Sequence, residues 1–185
     1  MGGEPLLHPK IVDIIDFMFQ NEIDIKIITN GTLIDENIAR LLSNTDAKIG
    51  VSLHSINEKD NYTIVKVKNL FIKTIQGIER LIKYNISTIA NYTALKINYF
   101  KFYEYVNKLQ SIGVDRFFIN RFCLSGIGRK RNDLLLSVEE INILCQQMEN
   151  AIKDFNVNVS FSNTIPRCII NKDEHNSFSN ACSFG

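Results

Sequence analysis

Five places in the chain gather side chains that can bind a ligand or do chemistry. The first is Gly2-Gly3-Glu4-Pro5-Leu6-Leu7-His8. Paired glycines let a backbone approach a ligand closely and adopt positive φ. Glu4 then offers a carboxylate able to hold an ammonium group, and Pro5 disfavours helical geometry at Glu4. A loop entering a helix would read the same way. The other four are Thr29-Asn30-Gly31, Ser52-Leu53-His54-Ser55, Asn91-Tyr92-Thr93 and Asn120-Arg121. Each follows an apolar run. Polar residues at such ends also serve as turn formers and caps, so it is the set that argues for a polar ligand.

Other reactive residues do not assemble from spacing alone. His8, His54 and His175 form no metal set. Cys145 lies on an apolar helical stripe and reads as core. Cys123 fits a loop after a strand. Gly126-Ile127-Gly128 is too short for a phosphate-binding fingerprint and opens no βαβ unit. Lys26 and Lys48 sit at strand starts, the wrong end for catalysis in a parallel α/β fold. Arg129-Lys130-Arg131 reads as a solvated basic run.

The elements that must position these residues alternate. Residues 9–21 read as a helix from Ile11, Ile14, Ile15 and Met18. Ile23 to Thr29 is a β-branched run that stops at Asn30-Gly31, a strand and turn. Asp35 caps a short helix carrying Ile38, Leu41 and Leu42. Lys48 to Leu53 is the next strand, and His54 to Asn61 reads as a loop. Phe71, Ile75, Ile78 and Ile82 mark a longer helix. Ser87 to Thr93 is a strand, and the helix through Phe102, Tyr105, Val106 and Leu109 stops near Gly113. A strand at 116–120 follows. Ser137 to Glu140 matches a capping box before a long helix, and 156–161 alternates like a last strand. Such a rhythm argues for parallel strands under covering helices. An open doubly wound sheet and a barrel, whole or partial, both fit. In either, chemistry gathers at the carboxyl ends of the strands, where the last four of these polar segments lie.

Composition bounds the function. The 185 residues carry a formal net charge of +1, with 45% hydrophobic and 22% charged residues. That is ordinary for a globular chain with a core. Near-neutral charge gives no case for nucleic acid or an anionic membrane. No apolar run reaches the roughly 20 residues needed to span a bilayer, and the N-terminus lacks a secretory pattern. Four dispersed cysteines make no disulfide scaffold. A cytoplasmic enzyme or binding protein is the expectation.

Taken together, the motifs resemble the radical S-adenosylmethionine enzymes. In that family a Gly-Gly-Glu-Pro segment follows the second barrel strand, a third strand often ends in Thr-Asn-Gly, and a fourth reads Val-Ser-Leu-His, as at Val51 to His54. The resemblance implies an α/β fold, a partial TIM-like (β/α)6 barrel lacking its first strands, over residues 1–162. It implies that Gly2, Gly3, Glu4 and Pro5 hold the amino group of S-adenosylmethionine. Asn30 and Ser52 would then contact its methionine end or ribose, and Asn91 and Arg121 its ribose and adenine. Lys66 stands where many members place an arginine. No residue of this chain is assigned a catalytic role. The family's [4Fe–4S] cluster needs a C-x-x-x-C-x-x-C motif that these residues lack, which implies a truncated core with ligands upstream, inactive by itself. An alternative is a non-catalytic remnant or binding module. Cys182-Ser183-Phe184-Gly185 resembles the opening of a cysteine-rich (SPASM-type) extension. Residues 163–185 would form its start, with Cys182 and Cys168 as auxiliary-cluster ligands in a longer parent chain. Expected partners are a peptide or protein substrate and an electron donor such as flavodoxin or ferredoxin. An exposed edge at the 23–29 strand is a further expectation.

Overall fold

The computed structural model describes residues 3–162. Gly2, His175, Cys168, Cys182 and the expected extension at 163–185 lie outside the described residues. Five strands are present there: β1 Lys26–Thr29, β2 Lys48–Ser52, β3 Ser87–Ala94, β4 Arg116–Arg121 and β5 Asn158–Phe161. Six α-helices accompany them: α1 Ile11–Gln20, α2 Glu36–Ser43, α3 Glu58–Val65, α4 Leu70–Lys83, α5 Phe102–Gln110 and α6 Val138–Phe155.

The strands form one sheet in chain order, β1-β2-β3-β4-β5, and every pair is parallel. This decides between the two architectures. A doubly wound sheet reverses its strand order at a switch point. Here no reversal occurs, and right-handed crossovers in one direction lay the helices on one face. The sheet is therefore the wall of an open, partial barrel.

Burial alternates accordingly. Ile27, Ile49, Val51, Ala90, Tyr92, Phe117, Ile119, Val159 and Phe161 are buried toward the helices. The opposite residues line the inner face, where Ile28 at the edge strand is 68% exposed. Beneath α5 the rings of Tyr92 and Tyr105 lie 4.6 Å apart, and those of Tyr92 and Phe102 5.3 Å apart. Such pairs add roughly 0.5–1.5 kcal/mol each beyond the area they bury. Burial also pushes the Cys145 thiol up to about 12, as a core cysteine should be.

Local signals explain most boundaries. Asp35 caps α2 by accepting from the Ile38 N–H at 2.9 Å. Ser137 and Glu140 exchange hydrogen bonds of 2.8 and 3.3 Å at the start of α6, completing the capping box. Gly113 takes φ +102° just past α5. Two expectations need correction. The stretch 54–61 is not all loop, because Asn57 accepts from the Asp60 N–H at 2.9 Å and opens α3. That helix buries little apolar surface, so no stripe announced it. The first strand also pairs only from Lys26, since Glu22 turns the chain at φ 54° and Ile23 stays exposed.

Candidate functional site

Glu4 is held at the carboxyl end of β1. Its Oε1 accepts from the Thr29 hydroxyl at 2.6 Å and the Leu6 N–H at 3.2 Å. Its Oε2 accepts from the Asn30 N–H at 2.8 Å. A carboxylate offers about four acceptor directions, so these bonds leave one, on Oε2. Glu4 is thus chiefly a bracket that ties the first loop to the end of β1. Pro5 begins a 3-10 turn over Pro5–Leu7 that aims the carboxylate back. Gly3, at φ +88°, holds a conformation that other residues rarely adopt.

The Thr-Asn-Gly turn is equally fixed. Thr29 Oγ1 accepts from the Gly31 N–H at 3.0 Å, and Asn30 Oδ1 accepts from the N–H and hydroxyl of Thr32 at 2.9 and 2.7 Å. The Asn30 carbonyl accepts from the Thr74 hydroxyl of α4 at 2.8 Å. The side-chain carbonyl of Asn30 is therefore committed to its own turn.

Ser52 ends β2 on the inner face, directly abreast of Asn91 on β3. Thr29 lies abreast of Val51, so the Glu4 anchorage and Ser52 occupy neighbouring carboxyl ends. Asn91 is only 7% exposed. Its side chain crosses Gly50, where an added Cβ would come within 2.5 Å of Asn91 Nδ2. Glycine at 50 keeps the floor low enough for this amide. Sequence reasoning did not single out Gly50, although a glycine inside a strand is itself a sign of close approach. Arg121 ends β4, partly buried and abreast of Ala94. Asn120 is hydrogen-bonded by the Ser162 hydroxyl, joining the exits of β4 and β5.

Above these ends lies a cleft of about 580 Å³, lined by residues that include His54, Lys66, Thr93, Phe122 and Arg131. His54 Nδ1 accepts from the Thr93 N–H at 3.1 Å, which leaves the proton of the neutral ring on Nε2. Asn98, missed in the sequence, fixes this corner. Its Nδ2 donates to the carbonyls of His54 and Thr93, both at 3.0 Å, and its Oδ1 accepts from the Leu95 N–H at 2.7 Å. Burial lowers the His54 pKa to about 4. The neutral ring therefore stabilises the fold fully above the unfolded value near 6.5, and that contribution fades as pH falls toward 4. The loss is at most about 3 kcal/mol. Proton NMR should show the His54 imidazole titrating near 4, whereas an ordinary midpoint near 6.5 would refute this environment.

The basic run makes no concentrated patch, since Arg131 forms a bidentate pair with Asp133 at 2.8–3.2 Å. Cys123 is exposed and reaches the Arg121 carbonyl at 3.6 Å. Among the described residues, no group of three or more His, Cys, Asp or Glu can hold a metal ion. These residues do not fit an iron–sulfur cluster. The polar inner ends do fit a cofactor bearing amino, hydroxyl and ring-nitrogen groups, because Asn91 offers a buried amide with no side-chain hydrogen bond among the described residues.

The sequence profile described as the Radical SAM superfamily matches residues 1–109. The Bacillus subtilis antilisterial bacteriocin subtilosin biosynthesis protein AlbA is 27% identical over 130 residues, covering 69% of this chain and 29% of AlbA. An uncharacterised Methanocaldococcus jannaschii protein, MJ0907, is 31% identical over 153 residues, covering 80% of this chain and 53% of that protein. The chain thus spans about half or less of these relatives. Among solved structures, Streptococcus suis SuiB matches with a TM-score of 0.76 at 19% identity, over 88% of this chain and 38% of SuiB. SuiB bound to S-adenosylmethionine matches equally well. The polar carboxyl ends, the one-way winding of the sheet and the profile match agree, and the chain belongs to the radical SAM superfamily.

Proposed function

We propose that the carboxyl ends of β1 to β4 form an S-adenosylmethionine site, and that this chain is part of an enzyme that modifies a peptide or protein. The observation that carries the reading is the Asn91 amide lying over Gly50 beside Ser52. Gly3 and the remaining Oε2 direction of Glu4 would receive the ammonium of the methionine end. Ser52 would hydrogen-bond its carboxylate or a ribose hydroxyl, and Asn91 and Arg121 would face ribose and adenine. Asn30 and Pro5 contribute by shaping the backbone, and Gly2 belongs to the same segment. In this family the bound cofactor supplies a 5′-deoxyadenosyl radical when an electron arrives from a [4Fe–4S] cluster. This chain's residues bind, orient and exclude water around it.

The cluster cysteines would lie upstream in a longer parent, and flavodoxin or ferredoxin would supply the electron. A cysteine-rich extension beginning near Cys168 and Cys182 would follow the barrel. A peptide substrate is supported by AlbA, a bacteriocin biosynthesis protein, and by SuiB, solved with its precursor peptide SuiA. No helix among the described residues is long and apolar enough to cross a membrane.

Titration calorimetry with S-adenosylmethionine tests the site. Gly50→Ala pushes the Asn91 amide aside without burying a new polar group, and is expected to weaken binding by roughly tenfold with little loss of melting temperature. Unchanged affinity in a folded variant would remove Asn91 from the site.

A further inference from the structure

The inner face has a second chemistry at its lower end, away from the carboxyl-end site. Lys26 and Lys48 lie directly abreast at the starts of β1 and β2. Like charges directly opposite on one sheet face are unfavourable. Among the described residues neither makes an ion pair. Arg116 joins them. Its guanidinium donates to the Ser87 hydroxyl at 2.7 Å, and Ser87 lies abreast of Lys48. Asp115 lies 3.6 Å from Arg116 Nε and is itself largely exposed, and Asp24 and Asp46 stand two residues before Lys26 and Lys48, around a separate cleft. All three cations line one cleft of about 390 Å³, whose walls are Ile28, Ile89 and Phe118.

We infer that this cleft seats an acidic residue of the peptide substrate, with its carboxylate against Lys26, Lys48 and Arg116 and an apolar neighbour against Ile28, Ile89 and Phe118. The inference rests on the peptide reading above. Charge complementarity argues for it, because Lys26 and Lys48 carry no ion pair among the described residues and Arg116 shares only the exposed Asp115, beside an apolar wall. A carboxylate removes the Lys26–Lys48 repulsion, and the wall rewards an apolar flank. A volume of this order suits a few side chains and not a folded partner. Asn91 lines the upper end of the same cleft, so a segment seated here would rise toward the proposed cofactor site.

The test uses the full chain and fluorescence anisotropy of two fluorescein-labelled pentapeptides. One alternates leucine with glutamate, and the other replaces each glutamate by glutamine. The acidic peptide is expected to bind at least roughly tenfold more tightly at low salt. A double variant, Lys26→Gln with Lys48→Gln, should abolish that preference while keeping the melting temperature, since it removes like charges from an exposed face. Equal affinity for the two peptides would overturn this inference and leave the peptide reading standing. A third probe, 4-methylpentanoate against its amide, separates the two readings. Lysine-dependent binding of that acid with no binding of either peptide would confirm the anion seat and overturn the peptide as its occupant. Acid preference that persists undiminished in the double variant would overturn the seat itself.

Discussion

Replacing Glu4 by glutamine is expected to cost about 2–3 kcal/mol of stability and to weaken S-adenosylmethionine binding by at least tenfold. The carboxylate accepts from Thr29, Leu6 and Asn30, at 2.6, 3.2 and 2.8 Å. Glutamine keeps one acceptor oxygen and turns an NH2 toward donors. Either the Asn30 N–H or the Leu6 N–H then faces another donor across a partly buried gap. Charge-assisted bonds are also roughly twice as strong as neutral ones, so the remaining contacts weaken too. The loop of Gly3 loses its tie to β1, and the proposed ammonium site loses its wall. Urea denaturation reads the first effect and calorimetry the second. A variant within about 0.5 kcal/mol of the parent would show that the bracket does not hold this end together.

Gly77→Ala should be more damaging to the fold. Gly77 sits in the middle of α4, where alanine would ordinarily add about 1 kcal/mol through helix propensity. Here an added Cβ would overlap the backbone carbonyl oxygen of Gly31. That oxygen belongs to the turn fixed by Glu4, by Thr29 and by the Thr74 hydroxyl of the same helix. A backbone atom held from both sides cannot move aside as a flexible side chain can. The helix must tilt off the sheet or the turn must break, so a loss of about 3 kcal/mol or more is expected. Loss of cofactor binding should accompany it, because the turn carries Asn30. Equilibrium denaturation decides the sign. A stabilised Gly77→Ala would mean that the helix does not rest on the turn.

Glu4 and Gly77 show where the sequence was legible and where it was not. The strands were legible because β-branched runs end at turn formers, as at Thr29-Asn30-Gly31, and α6 because Ser137 and Glu140 form a local signal. Local signals also gave the polar carboxyl ends, since strand direction follows from the βα rhythm. Three features needed contacts distant in the chain. Glu4 reads as an open carboxylate, yet Thr29 and Asn30 take up most of it. Gly50 and Gly77 look like breaks in regular elements, yet each makes room for a neighbour, Asn91 or Gly31. Asn98 reads as one asparagine among many, yet it pins the exits of β2 and β3. Helix α3 was missed for a different reason: a cap at Asn57 and two early acids start it, without an apolar stripe to mark its length.

The most direct test of the account is a crystal structure of this chain soaked with S-adenosylmethionine. The account predicts the methionine end beside Gly3 and Glu4, with Ser52 within hydrogen-bond reach and the Asn91 amide facing the ribose. Density for the cofactor at another part of the molecule, or none at saturating concentration in crystals that diffract well, would contradict it.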